Sequence, residues 1–400
     1  MVQNSLVEFS EEGSDDLEFR MLTRRLSDAV VYSTDWTTET ILLQIQKGNI
    51  DINPRFQRRD AWDIGKKSRF IESIIIGLPL PQIVLAELKE ERGKYLVLDG
   101  RQRLLTLMQF TSKKSGKHNG FKLKGLDVRF DLIGKSFNEF ETDINLIDDL
   151  NQFYNHPIRS VIIKNWPDRD FLHLIFVRLN TGSVQLSPQE LRQALFPGPF
   201  ADFIDDSASK SKALKVLLKN SEPDFRMRDV ELLLRYLAFS YFIQEYSGEM
   251  KHFLDYTSHE LSNQWPLMQS DIEERVSKFE DAISAGIKIF GEEYVGRKYT
   301  ATKFESRLNR SVLDVIAFYF SDDKIRNIAL EHPDQVREAF KELCSNNGDF
   351  RKSIEFTTKS MTSTIDRFRL WGQKLGETLG LTYRLPELVE NRINFPGFWG

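Results

Sequence analysis

One stretch constrains this chain more than any other: YLVLDGRQRLLTLMQF, residues 95–110. Leu96, Val97 and Leu98 read as a short buried strand, and Asp99-Gly100 as an abrupt turn. Beyond the turn, Leu104, Leu105, Leu107, Met108 and Phe110 recur at helical spacing. A strand that passes straight into a helix leaves the first helical N–H groups without intrahelical partners, at the positive end of the helix dipole. With Arg101 and Arg103 in the same turn, this is a seat for phosphate or another anion. The residues alone leave a second reading open, in which Asp99-Gly100 is only a turn and both arginines are solvated.

The stretches before it fit around this turn. Thr37–Ile50 reads as an amphipathic helix with Ile41, Leu42, Ile45 and Ile50 on its apolar side. Residues 53–69 hold Arg55, Arg58, Arg59, Lys66, Lys67 and Arg69 against Asp60 and Asp63, a local balance of +4. Phe56 and Trp62 interleave with these charges, as a nucleic-acid or nucleotide surface requires, although Trp62 is better read as packing inward. A helix over Lys66–Gly77 carries Phe70, Ile71, Ile74 and Ile75 on one side. Pro79 and Pro81 end it and deliver the chain into a strand, Ile83–Leu88. Through the charged turn Lys89–Lys94 that strand forms a hairpin with the one before Asp99. Asp99 then sits at the C-terminal end of a strand, where open α/β sheets place ligands.

After the turn, Lys113, Lys114, Lys117, Lys122 and Lys124 stand with no acid between them. They read as a basic loop running into a strand, and join Arg55 and Arg59 as candidates for DNA contact. Gly134-Lys135-Ser136 imitates the end of a P-loop, but Arg129 occupies the position that needs Gly. Ser136 and Glu139 make a helix capping box instead. An acidic helix (Asn138–Tyr154), a strand (Ile158–Lys164) and a helix from Asp168 to Asn180-Thr181-Gly182 follow. Ser187-Pro188-Gln189-Glu190 is a full capping box with Pro at the first helical position. It opens the helix that closes the first domain.

LDGRQRLLTL (98–107) resembles the Asp-Gly-Gln-Gln-Arg signature of the GmrSD-type restriction endonuclease N-terminal domain family, which is similar in fold to ParB and sulfiredoxin. Two more stretches agree in order: NPRFQRRDAW (53–62), running into KSRFIESIIIGLPLP (67–81), and FVRLNTGSVQLSPQELRQALFPGPF (176–200). The resemblance implies nucleotide binding and hydrolysis linked to defence against foreign DNA. It also places Gln57 and Arg58 beside the phosphate turn, and matches Arg178 and Asn180 to the family's Arg-Leu-Asn-Thr-Gly pattern. Arg101 departs from the signature, which has Gln there.

Among 400 residues, hydrophobic content is 40% with 30 Phe, ample for a core, and the net charge of −4 carries no basic signal over the whole chain. Contact with nucleic acid must therefore come from local patches. The single cysteine, Cys344, excludes a disulfide framework and a cysteine-rich zinc site, and fits a reducing cytoplasm. It also lies far from the phosphate turn, where sulfiredoxin chemistry would need it. No signal peptide is apparent, and the longest charge-free apolar run, Ile74–Ala86, is broken by Pro79 and Pro81 and too short to span a bilayer.

The expected architecture is α+β. Residues 1–34 form an acidic, mobile lead, 35–204 a small ParB/sulfiredoxin-like mixed α/β nucleotide-binding domain, and 205–400 a helical domain. Helical periodicity marks Ala213–Lys219, Val230–Tyr246, Lys251–Leu261, Ile272–Phe290, Lys303–Phe320, Gln335–Leu343 and Thr362–Leu379. Capping boxes are expected at Ser270/Glu273 and Thr302/Glu305. The aromatic tail after Asn394 has area enough to dock on a surface, its own or a partner's. Longer relatives carry a His-Asn-His nuclease in this half. The six histidines here (118, 156, 173, 252, 259, 332) lack the paired spacing such a metal site needs.

Two functions follow. In the first, the chain is an NTP-binding and NTP-hydrolysing component of an anti-phage restriction system, sensing DNA and acting with a separate effector. Gly100, Arg101, Gln102, Arg103 and the helix N-terminus hold phosphates, Asp99 orients Mg²⁺ or water, and Gln57, Arg58, Arg178 and Asn180 complete the pocket. In the second, the same arginines grip DNA phosphates in a non-enzymatic ParB-like module that recruits a partner.

Overall fold

The computed structural model describes residues 29–50, 52, 62–89, 91–112, 120–167, 171, 172, 175, 187–196, 198–300, 302–355, 360–390 and 392–399. The chain divides into two compact units, Met1–Gln185 and Leu186–Gly400.

The first unit is organised on a four-stranded sheet. Its strands are β1 (Val30–Thr37), β2 (Ile83–Glu87), β3 (Tyr95–Asp99) and β4 (Pro157–Lys164), in the order β1-β4-β2-β3. β1 runs antiparallel to β4, β4 parallel to β2, and β2 antiparallel to β3. Strand β1 was not expected: its first five residues fall in the segment read as an acidic lead. Its side chains are exposed over Val30, Val31 and Tyr32, so the apolar alternation that marks a half-buried strand is missing.

Helices α1 (Thr38–Gln46), α2 (Ile64–Ile75) and α3 (Arg101–Thr111) start where the expected signals lie. Thr37 Oγ1 accepts from the Thr40 N–H at 3.1 Å and Asp63 Oδ1 from the Lys66 N–H at 2.8 Å, each satisfying a helix-start donor. Helix α1 stops at Gln46, short of Ile50, which bridges to Tyr95. Trp62 packs edge-on against Phe70, as expected.

Phe110, at the far end of α3, is buried with Phe121, Phe137, Phe140 and Phe153 at ring-centroid distances of 5.4–5.8 Å. Burial of such a ring is worth about 1.5–3 kcal/mol, so this aromatic knot anchors the helix that begins at the Asp99-Gly100 turn. A second brace is Glu72 of α2. Its buried carboxylate accepts from the N–H groups of Asp127, Val128 and Arg129 at 2.7–3.0 Å.

The segment after the knot departs from expectation twice. Residues 120–129 hold no strand. The acidic helix is two, α4 (Phe137–Thr142) and α5 (Ile147–Asn155), because Asp143 turns its side chain to the Asn145 N–H at 3.0 Å and starts a new turn. The Ser136/Glu139 capping box is present as read.

The second unit is mostly helical. It comprises α6 (Pro188–Leu195), α7 (Pro199–Lys210), α8 (Lys212–Leu218), α9 (Arg228–Phe242), α10 (Met250–Asn263), α11 (Trp265–Phe290), α12 (Arg310–Phe320), α13 (Asp323–Glu331), α14 (Pro333–Asn346), α15 (Gly348–Glu355) and α16 (Met361–Leu379). Helix α6, with its Ser187/Glu190 capping box, packs on α9 and α10. It therefore belongs to this unit, and the boundary falls after Gln185 instead of 204.

Neither internal capping box stands. Ser270 lies inside α11, which begins at Trp265 with Pro266 in its first turn. Thr302 lies in a hairpin of β5 (Tyr299–Thr300) and β6 (Lys303–Phe304), and α12 begins later, capped by Asn309. A second short hairpin pairs β7 (Glu387–Val389) with β8 (Arg392–Asn394). The aromatic tail docks on its own unit: Phe395 packs tilted and Phe398 edge-on against Phe318 at ring-centroid distances of 5.1–5.2 Å, and Trp399 Nε1 donates to Asp322 at 2.7 Å.

At the core of this unit Arg235 Nε donates to Asp314 Oδ1 at 3.0 Å. Arg367, fully buried, lies with Nη2 3.7 Å from the other oxygen of Asp314. Burial pulls the Arg367 guanidinium down to about 10, against the attraction of Asp314.

Candidate functional site: the turn between β3 and α3

Leu98 is buried at the end of β3, and Asp99 is the strand's last residue. Gly100 then takes φ +95°, ψ 8° and stands at the N-cap of α3, without a side chain to cap it. Space as well as dihedral demands glycine here, since an added Cβ would lie 2.5 Å from Ile83 Cγ2. The first backbone bond of α3 runs from the Leu104 N–H to the Gly100 carbonyl at 3.0 Å. The N–H groups of Arg101, Gln102 and Arg103 precede that bond and point out of the helix start.

Arg103 reaches back over the turn. Its Nη2 donates to Asp99 Oδ2 at 2.8 Å and its Nη1 to the Pro81 carbonyl at 3.0 Å. The pair is mostly sheltered, at 11% and 22% side-chain exposure. The arginine is thus fixed by two contacts that tie the turn to the Gly77–Pro81 bend after α2. Asp99 Oδ1 makes no hydrogen bond among the described residues. Gln102 Oε1 is buried without a hydrogen-bond partner there, while its carbonyl accepts from Thr106 Oγ1 at 2.7 Å. Arg101 is half-buried beside them.

The sheet corrects one expectation about position. β3 runs antiparallel to β2, and Asp99 pairs with Val84. The C-terminal end of β3 therefore lies at the N-terminal ends of the parallel pair β2 and β4, opposite the edge where parallel sheets place ligands. Any anion at this turn is held by the start of α3 and the side chains around it. Sequence reasoning missed Pro81 and Ile83 as parts of the site. Pro81 contributes only a carbonyl, and Ile83 only a methyl group that dictates Gly100, and neither leaves a side-chain signature.

The turn unites Asp99, Gly100, Arg101, Gln102 and Arg103. Gln57, Arg58, Arg178 and Asn180, and the DNA-contact candidates Arg55, Arg59, Lys113, Lys114 and Lys117, lie outside the described residues. Among the described residues no three His, Cys, Asp or Glu side chains gather in a metal-holding group. His252 and His259 both lie on α10. No helix of the described residues is long and apolar enough to cross a membrane.

These features define a mixed α/β domain with an uncapped helix start at a strand-to-helix turn. Residues 39–197 match the GmrSD restriction endonuclease N-terminal domain. The matched domain is that of a restriction-endonuclease family, which points to a restriction or defence role. No curated protein and no solved structure matches it.

Proposed function

We propose that the chain is a nucleotide-binding component of a DNA-restriction system, with the turn between β3 and α3 as the phosphate seat of an NTP. The observation that carries this reading is the start of α3. Its N–H groups are uncapped, a glycine stands where a capping side chain would, and Arg101 adds positive charge. A helix N-terminus of this kind favours a phosphate through both its N–H groups and its dipole. Gln102 Oε1, buried and without a hydrogen-bond partner among the described residues, is the group that a ligand or its bound water would satisfy. Arg103 holds Asp99 by Oδ2, which leaves Oδ1 to orient Mg²⁺ or the attacking water during hydrolysis. Gln57, Arg58, Arg178 and Asn180 complete the pocket. The chain works in the cytoplasm, sensing DNA and acting with a separate effector.

The test is calorimetric binding of ATP, GTP, CTP and UTP, with phosphate release measured with and without plasmid DNA. Saturable binding that is lost in Arg101→Glu, and turnover that is lost in Asp99→Asn, are the expected results. Binding of no nucleotide would refute the reading. DNA binding without nucleotide binding would leave the non-enzymatic ParB-like recruiting module.

A further inference from the structure

Residues 186–400 carry 29 Lys and Arg against 33 Asp and Glu, yet residues 207–221 carry four lysines and no acid. These are Lys210, at the end of α7, and Lys212, Lys215 and Lys219 on or just after α8. None of the four has an ion-pair partner among the described residues, whereas Lys278, Lys298, Lys341 and Lys374 of the same unit each hold a glutamate. The spacing 212, 215, 219 puts three lysines on one side of the helix, and Ala213, Leu214 and Leu217 are buried on the other.

One acid stands against this helix: Glu280 of α11 keeps its charge at the start of α8, where it accepts from the Ser211 hydroxyl and the Ala213 N–H and pairs with none of the four lysines among the described residues. At the other end, buried Arg297 donates to the Leu217 carbonyl at 3.2 Å and to the Val295 carbonyl at 2.6 Å, and bonds to no carboxylate among the described residues. A guanidinium thus lies against the negative end of the helix dipole. Lys219 moreover holds the left-handed φ of +52° at the C-cap, a position where glycine is the less strained residue.

We infer that this lysine face is a docking surface for the phosphate backbone of duplex DNA, resting on the restriction reading above but on a different unit from its nucleotide seat. The stripe from Lys212 to Lys219 spans about 10 Å at the helical rise, about three base pairs of duplex. A membrane surface fits less well, because the apolar side of α8 is buried and leaves nothing to insert among lipid chains.

The test uses the full chain and a labelled 30-base-pair duplex, titrated from 50 to 200 mM salt. The variant combines Lys212→Gln, Lys215→Gln and Lys219→Gly. The glycine suits the C-cap, so the melting temperature is expected to hold or rise while DNA binding weakens roughly tenfold or more. The log–log salt slope should flatten by about 3, near one unit per lost phosphate contact. An unchanged affinity and slope would overturn the inference. So would a variant that also loses nucleotide affinity, or a parent chain that binds phosphatidylserine vesicles and no duplex. A parent chain that binds duplex through these lysines but binds no nucleotide would refute the phosphate seat alone and leave this surface standing.

Discussion

Gly100→Ala tests the geometry on which the candidate site rests. Two costs add. The residue sits at φ +95°, where an L side chain meets its own backbone at a cost of roughly 1–2 kcal/mol. The new Cβ would also lie 2.5 Å from Ile83 Cγ2 and 3.1 Å from Ile83 Cβ. Ile83 is buried in the sheet at 1% exposure and has nowhere to retreat, so the overlap adds about 1–3 kcal/mol. The expected loss is therefore about 2–5 kcal/mol by urea denaturation with unchanged slope, against a typical domain stability of about 5–15 kcal/mol. A double-mutant cycle separates the two costs. In an Ile83→Ala background the 2.5 Å overlap with Cγ2 is gone, while the 3.1 Å approach to Cβ and the dihedral part stay, so the coupling should be most of that ~1–3 kcal/mol. Gly100→Ala within about 0.5 kcal/mol of the parent protein, or a cycle without coupling, would refute the geometry. Nucleotide affinity measured on the same proteins should fall in Gly100→Ala, where relief of the clash moves the start of α3, and fall less in Gly100→Ala/Ile83→Ala, where the Cγ2 overlap is absent.

Three more outcomes follow from the contacts. Arg103→Ala should weaken nucleotide binding by about 1.5–3 kcal/mol in a folded protein, with the loss measured by calorimetry; unchanged affinity would confine Arg103 to bracing Asp99. Glu72 should set part of the acid limb of stability. Burial pushes its carboxyl up, but the three N–H groups of residues 127–129 outweigh that and hold it below its ordinary value of 4.5. Its contribution is thus present above pH 4.5 and lost as pH falls through the lowered value, so Glu72→Gln should flatten stability against pH below that point. Asp314→Asn should cost about 3–5 kcal/mol in urea denaturation, because Arg235 and Arg367 would share a core without their common carboxylate; a loss under about 1 kcal/mol would refute the pairing.

What could be read from the residues alone divides along physical lines. The hairpin and turn from Ile83 to Arg103, α2, the Ser136 and Ser187 capping boxes and the inward packing of Trp62 were legible, because each is written in local periodicity or turn chemistry. Strand β1 was not, since its exposed Val30, Val31 and Tyr32 show no alternation and its pairing with β4 joins residues 120 to 134 apart in sequence. The boxes at Ser270 and Thr302 failed for a different reason. A Ser/Thr-x-x-Glu pattern fits a helix start wherever it occurs, and only tertiary placement decides whether a helix starts there. The Asp99–Arg103 bond was half legible: the i, i+4 spacing allows it, but the anchoring Pro81 carbonyl comes from folding alone.

That bond decides how the catalytic assignment should be tested. An aspartate free to bind metal and an aspartate that braces an arginine predict different partners for the same mutation. If Asp99 only positions Arg103, then Asp99→Asn keeps an oxygen that can accept from Nη2. Nucleotide affinity and any turnover should then survive within a few-fold. If Asp99 Oδ1 orients Mg²⁺ or water, the same change removes the charge that does so. Turnover should then collapse while affinity for nucleotide in the absence of Mg²⁺ stays near that of the parent. Replacing Arg103 separates the cases further. A bracing aspartate becomes dispensable once its arginine is gone, so the double variant Asp99→Asn/Arg103→Ala should bind no worse than Arg103→Ala. A metal-orienting aspartate would cost turnover in both backgrounds. Affinity and turnover measured across these four proteins, with and without Mg²⁺, assign Asp99 to one role or the other.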